Sequence, residues 1–356
     1  MPTRRDGLLL LAASLGGCGA PPPRRGPTGP VVWPAPPEPA RYVHEATLRN
    51  AASLAAAGDS ADLMRRLSGE DRSRASFGKA LAVAAGRGFV YVGDTEGRRI
   101  FVFDLPRRRT FSFGLRREGE LKKPAGIALD TEGRVHVVDA TARRVVVFDA
   151  LGLFLRQIDG SADWVRPSAL AVSAAGDRLY VIDTGGVESN SHRVWVYDGA
   201  GRPLGRIGRR GDGPGEFNLP TDAATGPDGS LWVLDAGNFR VQAFDREGRF
   251  VRQFGSLGNG IGQFARPRGL AVDPTGLVCV SDAAFCNLQL FQPDGTLLLT
   301  IGSRASPGAD RDQPGRYLLP AKLAADETGR LYVVDQFLHK VEVLRRLDTG
   351  QFPGTG

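Results

Sequence analysis

The chain of 356 residues is 42% hydrophobic and 24% charged, which is the composition of an ordinary globular protein and not of a disordered one. Its length alone allows two or three domains. The formal net charge of +7 is compatible with an anionic partner, or with nothing more than a frequent use of arginine, and it does not bear on the fold.

The N-terminus has the pattern of an export signal. Arg4 and Arg5 precede a short apolar run at residues 7–15 (GLLLLAASL), and small residues follow it. A membrane-spanning helix needs about 20 apolar residues, so this run is too short to span a bilayer. The pattern therefore predicts a secretory signal over residues 1–17.

The end of this signal, residues 15–18 (LGGC), resembles the lipobox of bacterial lipoproteins. The resemblance implies that Cys18 becomes the first residue of the mature chain and carries the lipid. Gly19, which follows it, is similar to the outer-membrane-sorted class. We therefore expect an exported protein that is lipid-anchored in the bacterial cell envelope, at the outer membrane. Plain secretion with an incidental cysteine is the alternative.

Residues 18–40 are rich in proline. Such a segment is extended, acts as a semi-stiff spacer and cannot join the interior of a sheet. We predict a tether that holds the folded body away from the membrane anchor; a docking ligand is the other use of such a stretch.

The rest of the chain repeats one short phrase, in which an apolar strand ends in aspartate and a second apolar strand follows. The six aspartates are Asp94, Asp139, Asp183, Asp235, Asp282 and Asp335. The steps between them are 45, 44, 52, 47 and 53 residues, a period typical of a radial array of β-sheets. We therefore predict an all-β, six-bladed β-propeller of four-stranded antiparallel blades.

Blade four shows the repeat best, in residues 231–235 (LWVLD), Asn238 and residues 240–245 (RVQAFD). This pattern resembles NHL repeats over about residues 79–345, and the layout of the chain resembles that of bacterial six-bladed β-propeller lipoproteins built from them. The departures are small: blade five has Asn287 where other blades have Arg or Lys, and blade three has an insertion before Arg193.

The sixth blade lacks an outer strand at its C-terminal end, because residues 347–356 read as a tail. Residues 41–48 (RYVHEATL) have the missing pattern. We predict that they form the outer strand of blade six and close the ring, which removes an exposed sheet edge. The propeller then spans residues 41–346, and residues 49–78 are a connector with a short helix at residues 59–67.

The six repeat aspartates allow two interpretations. A ring of carboxylates could bind Ca²⁺. However, every blade has one, and a basic residue follows it in most blades: Arg99, Arg144, Arg193, Arg240 and Lys340. We therefore predict that the aspartates bind turn backbone and pair with these residues. No cofactor is predicted, with Ca²⁺ as the alternative, and the histidines show no metal-ligand spacing.

Two further cysteines, Cys279 and Cys286, fall on consecutive strands of blade five. In an oxidising compartment a disulfide between them is one interpretation, although disulfide geometry is strict. The other is that Cys279 takes the packing position that Tyr or Trp holds in most other blades.

The long segments of the repeat region lie on one side of the ring. In a four-stranded blade, the turn between the second and third strands opens on the same face as the connector between blades. The long segments are of these two kinds, at residues 49–78, 184–192, 208–219, 255–268 and 302–319. We call the side formed by these turns and connectors the connector face, and the opposite side the plain face.

The connectors carry twelve basic and eight acidic residues. Besides Arg166, the basic residues are our candidates for partner binding: Arg116, Arg117, Lys122, Lys123, Arg209, Arg210, Arg266, Arg268, Arg304, Arg311 and Arg316. Loops carry function more often than the strands beneath them.

These observations predict a non-enzymatic, membrane-tethered and monomeric module that binds a protein or an envelope polymer through its connector face. It contacts the membrane through the lipid anchor alone. The resemblance to other propellers leaves a lyase- or lactonase-like enzyme with a metal site in the central channel as an alternative. RNA binding, as in the NHL domains of animal tripartite-motif proteins, is a second alternative, against which export argues.

Overall fold

The computed structural model describes residues 29–54, 76–306, 308 and 313–347. The predicted signal, Cys18, the helix at residues 59–67 and Arg311 lie outside these residues. Among the described residues, no helix has the length and apolar character needed to cross a membrane.

The described residues form β-strands in chain order around a ring. Two N-terminal strands come first, β1 (Val32–Trp33) and β2 (Tyr42–Leu48). Blade one has β3 (Ala80–Gly86), β4 (Phe89–Asp94), β5 (Arg99–Asp104) and β6 (Arg109–Phe113). Blade two has β7 (Pro124–Leu129), β8 (Val135–Asp139), β9 (Arg144–Phe148) and β10 (Phe154–Asp159). Blade three has β11 (Pro167–Val172), β12 (Arg178–Asp183), β13 (Arg193–Asp198) and β14 (Pro203–Ile207).

Blade four has β15 (Pro220–Thr225), β16 (Leu231–Asp235), β17 (Arg240–Phe244) and β18 (Phe250–Phe254). Blade five has β19 (Pro267–Val272), β20 (Val278–Asp282), β21 (Asn287–Phe291) and β22 (Leu297–Ile301). A small parallel pair follows, β23 (Ser303–Arg304) and β24 (Arg316–Tyr317). Blade six has β25 (Pro320–Ala325), β26 (Leu331–Asp335) and β27 (Lys340–Arg346). Short 3₁₀ turns occupy Ala51–Leu54, Arg117–Gly119 and Ala236–Asn238.

The middle strands of each blade form the core between neighbouring blades. All five residues of β8 (VHVVD) and of β16 (LWVLD) are buried. Because both faces of a blade pack on other blades, these strands are continuous apolar runs and not alternating ones. The outer strands have more exposure: in β14 only Ile207 is buried.

The inner strands approach each other closely, which explains their small residues. A Cβ atom added at Gly126 would lie 2.9 Å from the Ala169 Cα atom, and one at Gly269 would lie 2.3 Å from the Ala321 carbonyl oxygen. At these two positions a larger residue would clash, and glycine allows the first strands of neighbouring blades to meet around the channel.

The N-terminal strand closes the ring as the sequence predicts. Strand β2 pairs with β27 in antiparallel register, from Tyr42 opposite Arg346 to Leu48 opposite Val341. It supplies the fourth strand of blade six, and both Tyr42 and Leu48 are buried. The fold prediction of six four-stranded antiparallel blades is confirmed.

The predicted tether at residues 18–40 is corrected over its described end. Val32–Trp33 forms β1, which pairs with β2 as a fifth strand of the blade-six sheet. The Trp33 ring packs against Gly315, where an added Cβ atom would lie 2.3 Å from the ring. A proline-rich segment can take this place because β1 is short and lies at the sheet edge.

Candidate functional site

The repeat aspartates hold the connectors to the blades. Their carboxylates are fully buried and accept hydrogen bonds from backbone N–H groups just before the inner strand of the same blade. Asp139, for example, accepts from Lys122 and Lys123 at 2.7 and 2.9 Å. Asp335 accepts from Leu318 at 2.7 Å and from Leu319 at 3.3 Å.

Blade four varies this arrangement. Asp235 accepts one such bond, from Asn218 at 2.7 Å, and the N–H group of Leu219 donates instead to Nδ1 of His192. In every blade the carboxylate thus satisfies connector backbone that would otherwise be buried without a partner.

Fewer basic partners pair with these carboxylates than the spacing predicts. The Arg99 Nε atom lies 3.3 Å from Asp94, and the Arg240 Nε atom lies 2.9 Å from Asp235. The other three basic side chains donate to backbone carbonyl groups, Arg144 to Glu120, Arg193 to Asn190 and Lys340 to Arg316. The prediction is corrected for these three blades, where backbone or hydroxyl donors occupy the carboxylate oxygens.

Asp282 is suited to a test of backbone capping, because all four of its donors are backbone N–H groups. They belong to Ala265, Arg266, Ala284 and Phe285. We expect Asp282→Asn to lower the free energy of unfolding by about 2 kcal/mol, since the amide loses charge and one acceptor atom. Urea unfolding measures the change.

The matched control for this substitution is Asp163→Asn. Asp163 is exposed, and its side chain accepts no hydrogen bond within the described residues. Its change should stay within about 0.5 kcal/mol. Equal effects of the two substitutions would contradict the role given to Asp282.

The candidate partner-binding residues divide into two groups on the connector face. Some already have partners: Arg209 pairs with Glu216 of its own connector at 2.8 Å, and Arg210 donates to the Ser189 carbonyl group of a neighbouring turn at 3.3 Å. Lys122 pairs with Glu120 at 2.8 Å.

Arg304 and Arg316 also donate to their surroundings, to the Ala284 carbonyl and the Ser303 hydroxyl group respectively. A second group is exposed and makes no side-chain hydrogen bond or ion pair within the described part of the chain: Arg116, Arg117, Lys123 and Arg266.

Arg268 does not belong to a connector. It lies in the inner strand β19 and is half-buried. Burial, together with the nearby charge of Arg266, lowers the pKa of Arg268. It is therefore a poor candidate for contact with a partner on the connector face.

Exposed apolar side chains accompany the basic residues on the connector face, which sequence reasoning missed. Of the eleven large hydrophobic residues that are exposed in the described part of the chain, six lie in its connectors or turns: Leu115, Val165, Val187, Leu257, Ile261 and Phe337. Ile261 is 90% exposed. The sequence signal was available, since Ile261 is the one apolar residue of residues 258–262 (GNGIG).

The central channel is lined by the inner strands of all six blades, with side chains that are almost all Ala, Val, Leu or Ile. Thr225 is the exception, and its hydroxyl group donates to the Val172 carbonyl group at 2.8 Å. Among the residues that the structure describes, no group of three or more His, Cys, Asp or Glu side chains is placed to hold a metal ion.

A sequence model described as the NHL repeat matches residues 217–244 and 264–292, which lie in blades four and five. The chain is a six-bladed β-propeller with NHL repeats.

Solved structures with the same fold include a streptogramin B lyase, with 12% identity and a TM-score of 0.54 over 76% of this chain and 94% of that chain. Another is XC5397 from Xanthomonas campestris, described as a gluconolactonase, with 20% identity and a TM-score of 0.55 over 76% and 87%. A third is a protein of unknown function from Bacteroides thetaiotaomicron, with 17% identity and a TM-score of 0.57 over 78% and 72%. At these identities the likeness shows the fold alone.

The NHL propeller also contains a buried ion pair that sequence reasoning missed. The Lys322 Nζ atom lies 2.7 Å from the Asp222 carboxylate, which also accepts the N–H group of Leu270. The pair links the inner strands of blades four and six across that of blade five. The equivalent positions in the other blades hold small residues, Ala82, Gly126, Ala169 and Gly269, so the two charges stand out once the repeats are aligned.

The disulfide interpretation for blade five is wrong, because Cys279 and Cys286 are buried free thiols. Cys279 lies opposite Leu290, whereas Cys286 directly precedes Asn287, the partner of Asp282. Their levels on the ladder differ by four residues, or roughly 13 Å, and bonded cysteines have Cα atoms within about 7 Å. Burial raises the pKa of both thiols.

Proposed function

We propose that this NHL propeller is a non-enzymatic binding module, held at the bacterial cell envelope by a lipid on Cys18, that takes a protein partner on its connector face. The observation that supports this most is the concentration of exposed apolar side chains there among unpaired arginine and lysine residues. Protein interfaces combine apolar anchors with arginine, surrounded by a polar rim. The proposal includes export to the outer membrane, a monomeric ring and no cofactor.

The distribution of the apolar residues favours one broad contact over a single pocket. Leu115 and Val165 lie in the connectors that enter blades two and three, and Leu257 and Ile261 lie in the connector that enters blade five. Phe337 lies in the turn of blade six and is 56% exposed. Anchors spread around the ring suit a partner that covers the face, and the net positive charge favours a partner with an acidic surface.

Two paired changes on the connector face test this proposal. Arg116→Glu with Arg117→Glu reverses charge at two of the exposed arginines, and Leu257→Ser with Ile261→Ser removes apolar anchors. We expect each pair to reduce at least tenfold the affinity for the protein that immobilised wild type retains from envelope extract, because hot-spot anchors dominate binding energy. Titration of the purified partner gives the dissociation constants.

The matched control is Leu151→Ser with Leu153→Ser, two exposed residues of the turn in blade two on the plain face. This pair should bind as wild type. If the control variant loses affinity for the partner while the connector variants bind it as wild type does, the partner lies on the plain face. Captured material that resists protease would identify a polymer, and material that is lost to ribonuclease would identify RNA; either result overturns the protein partner.

A further inference from the structure

The propeller has a cavity that the proposed function does not use. The central channel opens on the plain face into a space of about 500 Å³, within the range of about 300–1,000 Å³ that small-molecule sites occupy. Turns between the first and second strands of the blades form its rim, including residues 86–87, 130–133 and 326–327. It therefore lies at the end of the ring opposite the connector face.

The cavity owes its shape to an unusual turn in blade one. Ala85 pairs with Val90, and four residues lie between these two partners. In blade two, five residues lie between the paired Leu129 and Val135. Blades four, five and six also use five. In blade one the tight turn has positive φ at both Arg87 and Gly88, which is the geometry of a two-residue hairpin.

This short turn also lacks the aspartate that covers the neighbouring aromatic residue elsewhere. In blade six, Asp326 accepts the Tyr332 hydroxyl group at 2.9 Å. In blade one the Tyr91 hydroxyl group instead donates to the Ala150 carbonyl group of blade two. Phe89 and Tyr91 consequently line the cavity with ring centroids 6.0 Å apart, and they form an aromatic wall.

The rest of the wall is a ring of equivalent inner-strand residues, one from each blade. They are Ala85, Leu129, Val172, Thr225, Val272 and Ala325. Blades one and six contribute alanine where the others have larger side chains, which leaves space beside the aromatic wall. An apolar space of this kind favours a compact apolar ligand.

The mouth of the cavity carries one acidic group that is available to a ligand. Glu327 is exposed, accepts the N–H group of Arg87 at 2.8 Å, and forms no ion pair among the described residues. The other carboxylates of the lining already have partners: Asp130 has Arg134 and His136, Asp273 has turn N–H groups and Arg346 of blade six, and Asp326 has Tyr332 and turn N–H groups. The guanidinium group of Arg87 donates to the Thr131 and Glu132 carbonyl groups.

We propose that this cavity is a binding site for a compact aromatic amine. The ring of the ligand packs against Phe89 and Tyr91, and its ammonium group binds the Glu327 carboxylate at the mouth. The aromatic wall adds to the preference for a cation, because ring faces attract positive charge. The site is independent of the partner surface on the connector face.

Three probes of one shape test the charge preference: 1-naphthylmethylamine as the cation, 1-naphthalenemethanol as the neutral alcohol, and 1-naphthoate as the anion. Calorimetric titration of the folded protein at neutral pH should give the strongest binding for the amine, at least tenfold tighter than for the alcohol, and the weakest for naphthoate. Glu327→Gln should reduce the affinity for the amine to that for the alcohol, and it should leave the affinity for the alcohol unchanged.

Two substitutions that fill the cavity test its location. Ala85→Leu and Ala325→Val introduce the residues that blade two and blades three and five have at the same positions, so the fold tolerates them by precedent within the chain. Each should weaken binding of the amine and of the alcohol at least tenfold. If Ala85→Leu does not fold, as judged by its thermal transition, Ala325→Val provides the same test.

Arg116→Glu with Arg117→Glu is the control on the connector face, and it should leave amine binding unchanged while partner binding falls. Absence of saturable amine binding, wild-type affinity in both filled variants, or an amine preference that survives Glu327→Gln would each overturn the proposal. Because the control separates the two faces, failure here leaves the proposed function standing.

Discussion

A chain that starts at residue 60 is expected to lose at least about 4 kcal/mol of unfolding free energy and to melt about 8 °C or more below the longer chain. It lacks β1 and β2 and therefore exposes the whole edge of β27. Two of the side chains removed, Tyr42 and Leu48, are almost completely buried, and each contributes about 1.5–3 kcal/mol when buried. Calorimetry measures the transition.

A chain that starts at Arg41 is the matched control, because it keeps β2 and loses only the two-residue β1. Its melting temperature should fall much less. The open edge of β27 in the shorter chain should also promote self-association, which gel filtration detects. Equal stability of the two truncated chains would show that β2 does not close the ring in solution.

Lys322→Met is expected to cost about 3–5 kcal/mol at neutral pH, because it leaves the Asp222 carboxylate buried without its counter-charge. Both side chains are at most 10% exposed. Asp222→Ala should cost a similar amount, since it leaves the ammonium group unpaired. The double variant should recover most of the loss, and urea unfolding of all four proteins gives the coupling energy directly.

The pH dependence of Lys322→Met follows from the same burial. Burial raises the pKa of Asp222 and Lys322 acts against this, so removal of Lys322 raises that pKa further. A carboxyl group with a raised folded-state pKa destabilises the fold above that pKa and not below the unfolded value of about 3.9. The loss should therefore shrink as the pH falls from 8 towards 4. A loss that is independent of pH, or a double variant as unstable as the sum of the single ones, would contradict the buried pair.

Local spacing predicted the role of the repeat aspartates better than it predicted their partners. A strand-end aspartate followed by a turn indicates backbone capping, and the structure has this in every blade. A basic residue follows five positions later in blades one, two, four and six and ten positions later in blade three, yet in blades two, three and six it donates to backbone carbonyl groups. Which acceptor the basic residue meets depends on the connector or turn that packs beside it, and the spacing of the repeat does not show this.

Contacts that depend on the packing of distant segments also explain which features of the candidate sites the sequence did not predict. Asp222 and Lys322 are 100 residues apart, and their contact exists because two inner strands meet across Gly269. Cys279 and Cys286 are close in sequence, but the strand register separates them. The plain-face cavity depends on a turn that is one residue shorter than its counterparts in blades two, four, five and six and two residues shorter than that in blade three.

The sequence by itself determined the architecture, because strand period, terminal aspartates and turn glycines are local signals that recur in every blade and reinforce one another. It also determined how the ring closes, since blade six lacked a strand that residues 41–48 could supply. Only the tertiary structure decided which charges are paired, which apolar residues stay exposed on the connector face, and where the channel widens. Those properties arise from contacts between blades, and no single repeat encodes them.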